Sequence, residues 1–255
     1  MGEINSTSSS AWLFVADDAP PASLPARTWR AWRNRGSRYV LHKVLRRSLG
    51  RWPGWKRRLV YSDPRAYWTL RGGTEYFREQ EDQPARTARS RWLAERIASY
   101  RPASVLEVGC GYGKQLRSIR SVLPGASLVG VDFSPSQLAL GRTYLADLEG
   151  VSLCLASGAR LPFPDQSFDL VLTSAVILHN PPEVAEAIRR EVLRVARRFA
   201  AHNEDTDVSY NRFGYDTAGW YQTRGIALAE SGPIPTEPQP SPSQFCVARV
   251  GVPSS

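Results

Sequence analysis

"VLEVGCGYGK", residues 105–114, decides how this chain reads. Val105, Leu106 and Val108 make the short apolar run of a buried strand. Glu107 interrupts it two residues before the first of three glycines at alternate positions, Gly109, Gly111 and Gly113. A P-loop needs G-x-x-x-x-G-K-[S/T], and the stretch is not that. A dinucleotide turn needs G-x-G-x-x-G/A, whose last small residue lets the helix pack close to the strand; Lys114 stands in that place. A carboxylate aimed at the loop is unhelpful beside a diphosphate and helpful beside a cation. The loop therefore reads as a cradle for a positively charged ligand.

Working outward, strands alternate with helices. Strand 104–108 leads through the loop to helix 114–123, with Leu116, Ile119 and Leu123 on one face. Strand 127–133, "SLVGVDF", precedes helix 134–148, where Ser134 is an N-cap and Pro135 the first helical residue. Strand 151–156, "VSLCLA", leads through "SGARLPFPDQS" to strand 168–177, "FDLVLTSAVI". Helix 181–196, with Val184, Ile188, Val192 and Val195 inward, and strand 197–202, "RRFAAH", follow. Such alternation predicts an α/β fold, a doubly wound and mostly parallel sheet covered on both faces. "GIALAESGPI" and "SQFCVARV" read as a closing antiparallel hairpin, making seven strands. Before the sheet, a helix is expected at 84–99 with Trp92, Leu93 and Ile97 inward. Residues 1–25 read as a disordered tail, 26–83 as a basic Trp- and Arg-rich helical extension and cap, and 84–255 as the main domain.

The 255 residues are 42% hydrophobic, enough for a real core, and no apolar run is long enough to span a bilayer. The N-terminal residues lack the basic start and apolar length of a secretory signal. Gly2 and Ser6 fit the loose myristoylation pattern, which many chains match by chance. Cys110, Cys154 and Cys246 show no metal or disulfide spacing, so no metal is expected and a reducing cytosol is. The formal charge is +9, yet twelve basic residues and no acid lie between Pro20 and Ser62, so the remainder carries about −3.

With these residues in view, the chain resembles the class I S-adenosylmethionine-dependent methyltransferases. "LEVGCGYG" is similar to that family's first motif. "VGVDFSPSQL" looks like its second strand with a terminal acid, and "LPFPDQSFDLVLTSAVILHN" like its third loop and fourth strand. The resemblance implies a Rossmann-like fold and S-adenosylmethionine as cofactor. It implies that Gly109, Gly111 and Gly113, with Cys110 between them, let the backbone approach the methionine portion, and that Glu107 faces its amino group. Asp132 would accept from the ribose hydroxyls and Phe133 would flank the adenine. Ala159 would offer its N–H to the adenine ring, and Ser174 would complete the pocket. Gly158 stands where the family often has an acid contacting the adenine amino group, which weakens that one contact.

A hydroxyl acceptor needs a general base. His179 and His202 sit near the carboxyl ends of strands, where open α/β sheets place ligands. They are the candidate bases, with Asp205 beside them; a pocket-wall role for His179 is the plainer alternative. "AHNEDTDVSYNRFGYD" reads as a polar loop, either merely solvated or an acceptor site using Asn203, Glu204, Tyr210 and Asn211. Tyr67, Trp68 and Arg71 are expected to close over it, or simply to pack. The combination is similar to bacterial small-molecule methyltransferases, including those acting on cell-surface glycans, so a sugar hydroxyl is the expected acceptor.

The basic segment 26–60 admits an anionic membrane surface, an RNA, or no partner at all. The absence of an RNA-binding module and the acidic remainder favour the membrane, hence a cytoplasmic chain peripheral to the inner face. An RNA methyltransferase and a catalytically silent scaffold at a membrane stand as the alternative functions.

Overall fold

The computed structural model describes residues 53–251 except 73 and 237–240, together with helical positions at 29, 32, 33, 37, 40, 41 and 43–45. The expected tail 1–25 lies outside the described residues, as does most of 26–52. The chain divides into Met1–Ser48 and Leu49–Ser255.

The second unit opens with four helices: α1 (Pro53–Val60), α2 (Pro64–Arg71), α3 (Thr74–Glu81) and α4 (Pro84–Ser99). There follow β1 (Ser104–Val108), α5 (Lys114–Val122), β2 (Ser127–Asp132), α6 (Pro135–Tyr144), β3 (Val151–Leu155) and β4 (Phe168–Ser174). A 3₁₀ turn at Ile177–His179 leads into α7 (Pro182–Val195), β5 (Ala196–Asp205), α8 (Thr217–Gln222), β6 (Leu228–Pro233) and β7 (Ser243–Arg249). One seven-stranded sheet runs in the order β3-β2-β1-β4-β5-β7-β6. β1 to β5 pair in parallel, while β7 is antiparallel to both β5 and β6.

Period-two alternation divides the core between the two faces. Val105, Leu170 and Leu172 pack with Leu93 and Ile97 of α4, Leu116 and Ile119 of α5, and Leu138 of α6. Leu106, Val108 and Val171 pack with Ile188, Val192 and Val195 of α7. The strand order reverses at β1, where β2 leaves to one side and β4 to the other, and such a switch point opens a crevice at the carboxyl ends.

Four expectations need correction. The strand begun at Phe168 stops at Ser174, because Ala175 takes φ 54° and turns the chain. The helix begun at Pro135 ends at Tyr144, four residues early. Segment 61–82, read only as polar and aromatic, forms α2 and α3. The largest difference is β5, expected to end at His202 and extending to Asp205. His202, Asn203, Glu204 and Asp205 look like loop residues, yet they pair with Cys246, Phe245, Gln244 and Ser243 of β7. The ladder satisfies their backbone, and side-chain partners satisfy the rest.

Candidate functional site

A cavity of about 410 Å³ opens at the carboxyl ends of β1, β2 and β4. Its floor is Gly109, Gly111, Asp132, Phe133, Ser174 and Val176, and its roof is Asp63, Arg65, Trp68 and Tyr76 from the start of α2 and from α3.

The floor is built from backbone geometry. Gly109 N–H and Cys110 N–H both donate to Val131 O, at 2.7 and 3.0 Å, which ties the glycine loop to the end of β2. Gly109 and Gly111 have φ 73° and 57°, where L side chains are strained. A Cβ on Gly109 would come within 2.4 Å of Val176 Cγ2, whereas one on Gly111 would meet nothing within 4 Å. Gly111 thus leaves open space on the cavity side. Asp132 Oδ2 accepts from Gly111 N–H at 2.9 Å and Oδ1 from Ser134 N–H at 2.8 Å. The Phe133 N–H also acts on this carboxyl, and acceptor capacity remains beyond the three backbone donors. Burial pushes the Asp132 carboxyl up, against the pull of these backbone donors.

Glu107 is buried, and its Oε2 has no hydrogen-bond partner. Burial first, and then the nearby Asp132 charge, push its carboxyl up to about 8. Such a group is stabilised by a cation and by little else.

The roof is fastened to the sheet. Asp63 caps α2 by accepting from Ala66 N–H at 3.0 Å, and Pro64 occupies the first turn. Trp68 Nε1 donates to Tyr61 OH at 3.0 Å, and Tyr61 OH donates to His179 O at 2.6 Å. Phe77 of α3 packs edge-on against Tyr112 and Tyr144, with centroids 4.9 and 5.6 Å apart. Lys114 Nζ donates to Gln80 O at 2.7 Å and pairs with Glu81 at 3.3 Å. The residue that breaks the dinucleotide pattern therefore anchors the roof helix.

On the cavity wall, His179 meets Trp68 edge to face, centroids 4.6 Å apart. Its Nδ1 lies 2.6 Å from Asn211 O. A carbonyl only accepts, so Nδ1 carries the proton and Nε2 the lone pair. Burial, the dominant cause, pushes the imidazole down to about 4, so it is neutral at pH 7.

Residues 105–198 match a family described as "Methyltransferase domain". The chain is 34% identical over 109 residues to the demethylmenaquinone methyltransferase of Roseiflexus sp., covering 42% of this chain and 44% of that protein. It thus spans less than half the length of that relative. Among solved structures, the PH0226 protein of Pyrococcus horikoshii superposes with a TM-score of 0.57 at 18% identity, covering 70% of this chain and all 100% of that one. The magnesium protoporphyrin IX methyltransferase of Synechocystis PCC 6803, solved with bound SAM, gives 0.54 at 18% identity over 82% of this chain and 97% of that one.

Residues 105–198 are thus similar to a methyltransferase domain, and the sheet around them has the fold of these solved structures. The cofactor fits the residues present: Gly111 leaves room and the Asp132 carboxyl lies on the wall, whereas Glu107 is buried and is not among the residues lining the cavity.

Other expected site residues stand off the cavity or line it with their donors already used. The Cys110 thiol belongs to the core beneath the loop, where a Cβ on Gly130 would meet its Sγ at 2.7 Å. Gly113 (φ 89°) caps α5 against Leu145, and Gly158 packs on Val108. Ala159 lines the cavity, but its N–H already reaches Ser157 Oγ at 3.3 Å. Arg71 pairs with Glu79, away from the wall. Tyr67 is buried, its hydroxyl 3.1 Å from that of Tyr210.

His202 is corrected as a base. It lies inside β5, only 1% exposed, with Nδ1 2.8 Å from Thr173 Oγ1 and Nε2 2.6 Å from Tyr221 OH. Burial pushes it down to about 3, and no ring nitrogen is left for a substrate. Asp205 accepts from Ser243 Oγ at 2.5 Å and pairs with Arg89 and Arg212. Asn203 bridges Arg89 and Ser174, and Asn211 serves through its carbonyl. Glu204 accepts from Thr173 Oγ1 at 2.8 Å, Val176 N–H at 3.1 Å and Leu178 N–H at 3.2 Å, and so pins the turn that carries His179.

Sequence reading missed Asp63, Arg65, Tyr76 and Val176 on the wall. Asp63–Pro64 repeats the cap-then-proline pattern of Ser134–Pro135, so the start of α2 was findable.

The two histidines give a direct test. Both take up a proton more readily unfolded than folded, so their share of stability is complete above about 6.5 and lost as pH falls towards 4. Glu107 runs the other way: its share is complete below about 4.5 and lost as pH rises through about 8. NMR titration of the imidazoles should show His179 and His202 neutral down to about pH 5. An ordinary titration of either ring near about 6.5 would contradict its placement.

Proposed function

We propose that the chain transfers the methyl group of S-adenosylmethionine to a small planar acceptor bearing a hydroxyl, held beside Trp68 with its oxygen at His179. The observation that carries this is the tautomer. Asn211 O fixes Nδ1 as donor and leaves Nε2 an unprotonated acceptor, without a partner among the described residues, on a wall residue. When bound, the cofactor supplies an activated methyl group and leaves as a neutral thioether. Trp68 and Tyr76 wall the acceptor and exclude water. As the oxygen takes the methyl its proton becomes far more acidic, so even a base with pKa about 4 accepts it at Nε2. The Nδ1–H bond to Asn211 O then steadies the imidazolium.

The polyol reading loses its support, because Asn203, Glu204 and Asp205 lie in β5 and are absent from the cavity wall. Trp68, Tyr76 and the imidazole suit a flat ring better. The Roseiflexus relative, named for demethylmenaquinone, is compatible with such an acceptor. The open space at Gly111 and the Asp132 carboxyl on the wall favour a cofactor-binding enzyme over a silent scaffold.

His179→Asn keeps a donor near Nδ1 and removes Nε2. Assayed with a panel of hydroxylated aromatic acceptors, it should lose about 10²–10⁴ in kcat while its affinity for S-adenosylhomocysteine stays within about twofold. The wild-type acid limb should fall near 4. Activity within threefold of wild type would remove His179 from the chemistry.

A further inference from the structure

Helix α1 is amphipathic in the wrong sense. Its inward face carries Lys56, Arg57 and Val60, and its outward face Trp55, Arg58 and Leu59. The inward cations are used. Lys56 Nζ sits 4.1 Å above the Tyr210 ring. The Arg57 guanidinium donates to the carbonyls of Ser209, Tyr210 and Arg212 and lies 4.4 Å from the Phe213 ring. These contacts fix the rotation of the helix. Trp55 and Leu59, four residues apart on one stripe, are left 61% and 55% exposed. Arg58 stands beside them, its guanidinium 6.0 Å from the Trp55 ring. In the first unit, described by itself, helical Trp29 and Trp32 are also exposed, with Arg33 5.5 Å from the Trp29 ring.

We propose that α1 docks the chain on an anionic lipid surface through Trp55, Leu59 and Arg58. Water is a poor solvent for an outward Trp–Leu stripe, and the cost is removed at the headgroup boundary, where indole rings and aliphatic side chains insert. The charge is complementary: no acid lies between Pro20 and Ser62, so nothing in this stretch repels an anionic bilayer. An RNA track fits less well. Two of the three α1 cations are turned inward, and the outward stripe is apolar where phosphate contacts need cations. Among the described residues no helix is long and apolar enough to cross a membrane, so the contact is a surface one.

The test is sedimentation of the full chain with phosphatidylglycerol vesicles and with phosphatidylcholine vesicles. Binding should favour the anionic vesicles by at least about tenfold and weaken with salt. Trp55→Ser with Leu59→Ser should lower it about tenfold or more. Arg58→Glu, which keeps the apolar pair, should lower it about fivefold or more. Retained S-adenosylhomocysteine affinity certifies the fold of each variant. Equal vesicle binding by wild type and the double variant overturns the proposal. Absence of vesicle binding also overturns it, in favour of nucleic acid if the chain binds a single-stranded RNA oligonucleotide, or of self-association if it forms a dimer that the double variant loses.

Discussion

Asp132→Ala should weaken binding of S-adenosylhomocysteine by at least about 100-fold in calorimetry, with the circular dichroism spectrum of the folded chain retained. Two effects add. The carboxylate keeps acceptor capacity for a ligand hydroxyl, and a hydrogen bond to a charged acceptor is worth about 1.5–3 kcal/mol. It also receives Gly111 N–H and Ser134 N–H, so its removal takes away one tie of the glycine loop to the end of β2 and leaves the two to Val131 O. Asp132→Asn separates the two. It keeps the size but can accept at only one end, so it should bind better than alanine and worse than wild type. A loss below tenfold in the alanine variant would mean that the cofactor is held elsewhere.

The second large effect lies where no ligand reaches. Glu204→Ala should destabilise the chain by about 3–5 kcal/mol in urea unfolding, because three donors lose their acceptor inside the protein. Those donors are Val176 N–H, Leu178 N–H and the Thr173 hydroxyl. The proton order behind them is fixed. Thr173 donates to Glu204, so His202 Nδ1–H must donate to Thr173 and Tyr221 OH to His202 Nε2. Three buried groups thus point their protons towards one carboxylate. Glu204→Gln supplies one oxygen in place of two and should fall between. A change under about 1 kcal/mol in the alanine variant would mean that the turn at Ala175–His179 is held by packing alone.

The fold was legible because its strands are apolar, short and bounded by turns. Strand 104–108 and helix 84–99 were read to the residue, since apolar spacing marks both. The floor of the site was readable for a related reason. Gly109, Gly111, Asp132 and Phe133 follow the ends of two strands, and the family resemblance assigned them to one cofactor pocket. The polar half was misread because sequence shows polarity and not its satisfaction. His202, Asn203, Glu204 and Asp205 are as hydrophilic as any loop, yet each finds a partner deep in the sheet. The roof failed for a different reason. Trp68 and Tyr76 reach the cavity only because Tyr61, Tyr112 and Lys114 fasten their helices, and the bonds Tyr61–His179, Tyr112–Glu81 and Lys114–Gln80 join residues 118, 31 and 34 positions apart. Local periodicity carries no trace of such pairs.

That roof comes from residues 63–76, whereas the segment shared with other methyltransferases is 105–198. The two walls of one cavity therefore descend through separate stretches of chain. Kinship measured on the shared stretch takes in the floor and His179 but not Trp68 or Tyr76. Drift in 63–76 can retarget the reaction while Gly111 and Asp132 stay fixed. Grafting that stretch between relatives is the corresponding laboratory route to a changed acceptor.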